Sequence, residues 1–266
     1  MPSRSADAWA SGDAYEPYVG RWSRAVAREL VPWIAAAPAL RWLDVGCGTG
    51  ALTETILGAA APGCVHAIDS SPAYVHFARR HVHDSRADFA VADARALPCP
   101  AYSADVIVSG LMLNFVPQPE TAVAEMARVV RTGGVVAVYV WDYAERMQLI
   151  RYFWDAAVAL DASAAVHDEG RRFSICRPAA LEALFRGAGL HDVSTRAIDV
   201  PTRFRDFDDC WQPFLGGQGP APSYAMSLPE EHRTALRERL RADIPAGADG
   251  SIDLVARAWA VRGVRG

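Results

Sequence analysis

The run Arg41-Trp42-Leu43-Asp44-Val45-Gly46-Cys47-Gly48-Thr49-Gly50 sets the tightest limit on how this chain can fold. An apolar segment, Trp42 to Val45, enters glycines at alternate positions, and a helix-compatible stretch, Ala51 to Leu57, follows. The pattern reads as a buried strand, a tight turn and a helix start. Glycine serves where the backbone must take positive φ or press on a ligand with no Cβ between them. A nucleotide-type ligand lying over the end of a strand is therefore expected. As Gly46-x-Gly48-x-x-Ala51, the turn also meets the loose dinucleotide fingerprint, with Asp69 near the spacing of a ribose-binding acid.

The next hundred residues add strand ends that discriminate. Cys64 to Asp69 is a second apolar strand ending in an acid, with Ser70 and Pro72 behind it. A carboxylate there can accept hydrogen bonds from both ribose hydroxyls. Phe89 to Asp93 reads as a third strand ending in an acid, before Ala94, Arg95 and a loop marked by Pro98. A plain NAD site has no recurrent need for that second acid. A fourth strand, Ala104 to Ser109, leads into Gly110-Leu111-Met112-Leu113-Asn114-Phe115-Val116-Pro117. A helix from about Glu120 to Val130 and the strand Val135 to Trp141 follow, separated by Arg131-Thr132-Gly133-Gly134. From Trp42 to Trp141 the string resembles the ubiquinone/menaquinone-biosynthesis-like (methyltransferase type 11/25) branch of the class I S-adenosylmethionine (SAM) methyltransferases. Asp44-x-Gly46-x-Gly48-x-Gly50 resembles their motif I. The resemblance covers roughly two-fifths of the chain at high specificity, and the rest more loosely.

Alternating strands and helices from Leu40 to Trp141 argue for an α/β fold with a parallel sheet covered on both faces. Right-handed crossovers then place the cofactor over the carboxyl ends of the first two strands. The resemblance implies a Rossmann-like sheet of seven strands, mostly parallel with an antiparallel last strand, helices on both faces and a helical cap. Ser251 to Gly263 has the position and apolar content of that last strand, partnered by Leu190 to Val200 after a helix over Pro178 to Gly187. A single domain, 1–266, is expected, with a SAM-binding core at about 38–142 and cap segments at about 14–37, 143–177 and 201–245. These segments carry Tyr15, Tyr18, Trp22, Tyr143, Phe153, Trp154, Trp211, Phe214 and Tyr224. Binding residues tend to sit on connections held by a rigid scaffold, so the cap is expected to close over the cofactor and build the acceptor pocket. The alternative is that these rings bury one another in a helical layer.

The resemblance implies S-adenosyl-L-methionine as cofactor, leaving S-adenosyl-L-homocysteine (SAH) as product. Gly46 and Gly48 would let the backbone approach the methionine moiety, with Cys47 packed in the same turn. Asp44 would orient the loop, or the SAM ammonium through water. Asp69, with Ser70 beside it, would take the ribose hydroxyls. Asp93 and Ala94 would lie beside adenine, with a loop cap as the competing role for Asp93. Leu111 would flank the cofactor. Thr49 would cap the following helix and touch the cofactor carboxylate. Arg21, in the run Tyr15-Glu-Pro-Tyr18-Val-Gly-Arg21-Trp22, would clamp that carboxylate as a bidentate donor, a solvated surface arginine being the alternative.

Composition narrows the rest. At 266 residues, 51% of them hydrophobic, one ordinary soluble domain of the larger kind is expected. No apolar run nears the length of a bilayer crossing, and Met1 to Ser11 lacks the apolar core of a signal peptide. A cytoplasmic enzyme without a membrane partner is the expectation, as a monomer or homodimer. The five cysteines, Cys47, Cys64, Cys99, Cys176 and Cys210, show no CxxC spacing, which indicates neither a metal site nor a disulfide framework. The chain has no lysine, all 27 basic residues being arginine, which excludes a lysine Schiff base and a Walker phosphate loop. With a net charge of −4, a nucleic acid ranks well behind a small-molecule acceptor.

The expected reaction is methyl transfer to an O, N or C atom of a small metabolite, in the EC 2.1.1 class. The protein must hold the acceptor atom about 3 Å from the methyl carbon, opposite sulfur. A base is dispensable for a neutral amine or carbon nucleophile and useful for a hydroxyl. His167, Asp142, Glu169 and Tyr143 are the candidate bases, and Asn114 is a candidate to orient the acceptor or to cap the next helix. Relatives often carry histidine near Asn114, so the resemblance departs there. Two other readings compete. An NAD(P)-dependent oxidoreductase is disfavoured by Asp93, by Gly133-Gly134 and by the lack of a Tyr-x-x-x-Lys pair. A SAM-binding protein that has lost transfer is the other.

Overall fold

Strands buried on both faces need apolar side chains at every position, not at alternate ones. β1 (Arg41–Val45) follows that rule with one exception: after an exposed Arg41, Trp42 to Val45 are all buried, and the acid Asp44 stands among them. A computed structural model of the chain describes residues 21–217 and 219–266, the side chain of Arg21 excepted. The expectations placed on Tyr15, Tyr18 and the Arg21 guanidinium lie outside the described residues.

The chain forms two compact units. One comprises Ser23–Trp141, Ile175–Ile198 and Ala258–Gly266; the other takes Asp142–Ser174 and Asp199–Arg257, with Trp22. The first is built on the sheet. β2 (Cys64–Asp69), β3 (Ala87–Val91), β4 (Ala104–Gly110), β5 (Val130–Trp141), β6 (Leu190–Phe204) and β7 (Ile252–Arg265) join β1 in the order β3-β2-β1-β4-β5-β7-β6. β1 pairs in parallel with β2 and β4, β2 with β3, and β4 with β5. β7 runs antiparallel to β5, with Trp141 opposite Ala258 and Val135 opposite Val264. The Rossmann-like architecture and the antiparallel last strand are as expected. Strand order reverses direction at β1, which puts the switch point between β1 and β4.

Helices α1 (Arg21–Ile34), α2 (Ala51–Ala59), α3 (Pro72–His81) and α4 (Pro119–Val129) alternate with the strands. Each buries an apolar stripe of the kind a helix needs against a sheet; on α1 it is Val26, Ala27, Leu30, Val31 and Ile34. Arg262 on β7 caps the end of α1, donating from Nη1 to the Trp33 carbonyl at 2.6 Å with its guanidinium 5.0 Å from the Trp33 ring centroid.

Two boundaries differ from expectation. β5 starts at Val130, not Val135: Ala104 pairs with Val130 and Val106 with Val135, so residues 131–134 are the extra chain of a register shift. β3 ends at Val91, leaving Asp93 in a loop. The Asp93 side chain supplies the reason, since it accepts the Arg95 N–H at 2.9 Å and closes a local turn instead of continuing the strand.

The second unit is rich in helices: α5 (Gln148–Leu160), the single turn α6 (Glu169–Arg172), α8 (Phe207–Trp211), α9 (Pro220–Ser227) and α10 (Glu230–Asp243), while α7 (Pro178–Gly187) belongs to the sheet unit. The buried face of α5 carries Phe153 and Trp154. Phe153 stacks on Phe214 (centroids 4.5 Å, planes 20° apart), Trp154 lies 5.4 Å from Tyr224, and Trp211 lies 5.8 Å from Phe214. Within this unit the rings do bury one another.

Candidate functional site

The glycine turn is held by the strand beside it. Gly46 and Cys47 both donate their N–H groups to the Ile68 carbonyl at the end of β2, at 2.7 and 2.9 Å. One residue on, the Asp69 carboxylate accepts the Gly48 N–H at 2.9 Å on Oδ2 and the Ser71 N–H at 2.8 Å on Oδ1. Asp69 thus ties the turn after β1 to the start of α3, where Ser71 is the N-cap and Pro72 opens the helix. Burial raises the Asp69 carboxyl above the usual range, and the two backbone amides oppose that rise. A carboxylate offers about four acceptor positions, so two amides leave room for two hydroxyl donors.

Gly46 and Gly48 take positive φ, +76° and +52°, for different surroundings. A Cβ on Gly46 would overlap the Met112 side chain, coming within 2.7 Å of its Cβ. A Cβ on Gly48 would meet nothing within 4 Å. One glycine is needed for packing; the other faces open space beside Asp69.

Asp44 is fully buried, two residues before Gly46. The Thr53 hydroxyl on α2 donates to its Oδ2 at 2.7 Å, while Oδ1 has no partner among the described residues. Burial lifts the carboxyl to about 7, the Thr53 hydrogen bond opposing. This contact suits the loop-orienting role. Cys47 is buried as well, and burial pushes its thiol well up, which fits packing and not reactivity. The N-cap of α2 is Gly50, at φ +90°, not Thr49. Capping by Thr49 is therefore corrected: the left-handed conformation that turns the chain into α2 falls one residue later, where glycine adopts it without strain.

Asp93 lies two residues beyond Val91, the register partner of Asp69, so Asp69 ends its strand and Asp93 follows the carboxyl end of the adjacent one. Its carboxylate also accepts from Arg95 Nε at 3.0 Å and Nη2 at 2.6 Å, and the guanidinium holds it below the usual range. Arg95 Nη1 reaches Gln118 Oε1 at 2.7 Å. Ala94 lies in the same turn, half-buried, and Ser70 is exposed after β2. Leu111, just past β4, is a buried leucine in the left-handed region (φ +59°), with its N–H donated to the Tyr139 carbonyl at 2.8 Å. Such a conformation costs about 1–3 kcal/mol for a residue with a Cβ. Asn114 is 9% exposed, and neither atom of its amide has a partner among the described residues.

The other candidate bases belong to the helix-rich unit. His167 is exposed, its ring 5.6 Å from Tyr224. Tyr143 is buried, 5.7 Å from the Phe173 ring, and its carbonyl accepts from Arg151. Asp142 is buried; its Oδ1 accepts the Glu145 N–H at 3.1 Å, its Oδ2 has no partner among the described residues, and burial raises its carboxyl. Glu169 is buried and accepts the Trp154 indole N–H, and burial pushes its carboxyl up to about 8.

Thr53, Ser71, Met112 and Arg95 escaped the sequence reading. Ser71-Pro72 carried a legible signal, a capping residue before proline at a helix start. Thr53 and Met112 did not, since nothing in a linear pattern pairs them with Asp44 and Gly46.

Residues 43–138 match the family model described as "Methyltransferase domain". That span, a little over a third of the chain, is similar to methyltransferase domains. The domain is 38% identical over 93 residues to a malonyl-[acyl-carrier protein] O-methyltransferase of Hahella chejuensis, covering 35% of this chain and 33% of that one. It is 36% identical over 118 residues to a demethylmenaquinone methyltransferase of Renibacterium salmoninarum, covering 44% and 46%. The chain thus spans less than half the length of these relatives. Among solved structures, a Bacillus halodurans protein described as a candidate methyltransferase aligns with TM-score 0.59 at 15% identity, covering 90% of this chain and 98% of that one. A Haemonchus contortus phosphoethanolamine N-methyltransferase solved with SAM aligns with TM-score 0.59 at 16% identity, covering 95% and 56%. At these identities the structures show a shared fold.

Proposed function

We propose that this chain transfers a methyl group from S-adenosyl-L-methionine to an O, N or C atom of a small-molecule metabolite, placing it in the EC 2.1.1 class. The observation that carries the reading is Asp69: a half-buried carboxylate with acceptor capacity to spare, fixed by two backbone amides beside a glycine whose Cβ direction is open. A vicinal diol fits that carboxylate, and Gly48 admits a ligand against the backbone. Gly46, Gly48 and Asp69 would hold the cofactor, with Ser70 and Ala94 at its margin, Asp93 on the adenine side and Leu111 flanking it. Asp44 holds the turn through Thr53. When bound, the sulfonium supplies an electrophilic methyl carbon.

The chain's own part is chiefly positional. Asp69 and the turn would fix one partner and the strained segment after β4 the other, since a near-attack arrangement supplies much of the rate. Of the curated relatives, one is named a malonyl-[acyl-carrier protein] O-methyltransferase and another a demethylmenaquinone methyltransferase; the first name supports an oxygen acceptor. Among the described residues no helix is long and apolar enough to cross a membrane.

Calorimetric titration with SAH and, separately, NADH tests the cofactor. Incubation of labelled SAM with a small-metabolite extract tests transfer. Binding of SAH and not NADH, with label in a new product, is the expected result; NADH binding alone overturns the proposal. Tight SAH binding with no labelled product would leave a binding protein in its place.

A further inference from the structure

Asn114 sits in a single turn of 3-10 helix, Leu113–Phe115, directly after β4. Its carboxamide has two donors and two acceptor positions, and both its nitrogen and its oxygen are buried without a partner among the described residues. A buried amide left unsatisfied on both sides is costly, so a purely structural role does not account for it. Nor does it cap the next helix: the N-cap of α4 is Gln118.

The segment around it is held on both sides. Leu111, three residues earlier, is fixed at φ +59° by its N–H to Tyr139, and the Met112 side chain rests against Gly46. The Phe115 N–H closes the turn onto the Met112 carbonyl at 2.9 Å. The sheet order decides what the amide faces. Asp69 ends β2 and Asp93 follows β3, on one side of β1, whereas Asn114 follows β4, on the other. With strands about 4.8 Å apart, the ends of β2 and β4 are separated by roughly 10 Å. On the methyl-transfer reading, a cofactor with its diol at β2 and its methionine moiety over the glycine turn after β1 would direct its reacting end toward β4.

We infer that Asn114 is a positioning residue for the methyl acceptor, its amide meeting an acceptor group that both donates and accepts a hydrogen bond, such as a hydroxyl. The inference rests on the methyl-transfer reading and assigns the acceptor's side of that site. A neutral group of this kind satisfies both ends of the amide at once; a bare carboxylate would leave the oxygen unpaired.

The test uses Asn114→Leu, similar in volume and apolar, and Asn114→Asp, which keeps an acceptor and loses the donor. Three readouts are needed: thermal midpoint, SAH affinity by calorimetry, and label transferred from SAM to the extract. Asn114→Leu should raise the midpoint by about 2–4 °C, because an unsatisfied buried amide is removed. It should leave SAH affinity within about twofold and cut labelled product about tenfold or more. Asn114→Asp should fall between leucine and the wild type in transfer. A lowered midpoint with Asn114→Leu, or undiminished transfer with both variants, overturns the inference. An SAH affinity that falls in step with transfer overturns it too, by giving the amide to the cofactor. A wild-type protein that binds no SAH sinks the methyl-transfer reading itself, and one that binds SAH but labels nothing removes the acceptor role alone.

Discussion

Asp44 and Glu169 are both buried acids, one under the glycine turn of the sheet unit and one within the helix-rich unit. Each accepts from a neutral donor, the Thr53 hydroxyl and the Trp154 indole respectively. In each case burial dominates and lifts the carboxyl, to about 7 and about 8. Their settings differ. Asp44 lies two residues from Gly46 at the end of a central strand, with Asp69 close enough to raise it further. Glu169 lies near the ring cluster of Phe153, Trp154 and Tyr224, and its neighbour Asp168 pairs with Arg151 at 2.7 Å. A perturbed carboxyl marks a functional site only when its surroundings offer a ligand something to bind. Asp44 lies two residues before a glycine turn with open space at Gly48, whereas Glu169 is packed against the Trp154 indole.

The comparison breaks most visibly at the glycines. Gly46→Ala should destabilise the protein by about 3 kcal/mol, combining left-handed strain with overlap against Met112. Gly48→Ala should cost only about 1 kcal/mol yet weaken SAH binding at least about tenfold, since its Cβ enters the space beside Asp69. Chemical denaturation and calorimetry on both variants check this; equal stability losses, or unaltered SAH binding by Gly48→Ala, would refute the division of roles.

Glu169 sharpens the contrast through pH. Its folded-state value of about 8 lies above the ordinary 4.5, so the folded protein binds the extra proton. The stability from this group is complete below about pH 4.5 and is lost as pH rises through about 8. Glu169→Gln cannot ionise, so between about pH 5 and about pH 8 its stability relative to wild type should improve by on the order of 3 kcal/mol. Denaturation midpoints at the two pH values measure it, and a constant difference would show that Glu169 is already ionised. SAH binding should be the same in both proteins.

Asp69→Asn should weaken SAH binding about tenfold while preserving the fold, because the amide oxygen still accepts one backbone N–H but the charge facing the diol is gone. Unchanged affinity would detach Asp69 from the cofactor. The smallest effect belongs to Arg95→Ala. The pair with Asp93 is largely exposed, and such pairs contribute about 0–1 kcal/mol. A stability loss well beyond that by thermal denaturation would make the Asp93 loop a structural keystone and not a rim.

Much of the sheet unit was legible because buried parallel strands are written as mainly apolar runs: Trp42 to Val45, Ala104 to Ser109 and Val135 to Trp141 all fall inside strands. Helix α7 was likewise read over the residues it occupies. Boundaries failed where local chemistry competes with pattern. Asp93 looked like a strand end, yet its side chain bonds its own following backbone; Thr49 looked like a cap, yet Gly50 supplies the turn. In the helix-rich unit the rings were visible and their partners were not, since Phe153 and Phe214 meet across sixty residues of chain.

The sequence alone determined the alternation of strand and helix, the position of the glycine turn and the acids that end β2 and follow β3, because periodicity and backbone permissiveness are local properties. Tertiary structure decided which polar groups find partners: Asp44 with Thr53, Asp69 with Gly48 and Ser71, Glu169 with Trp154, and Asn114 with none among the described residues. A hydrogen bond forms or fails over a few tenths of an ångström between segments distant in the chain. A linear pattern records the face a residue occupies and carries no such distance.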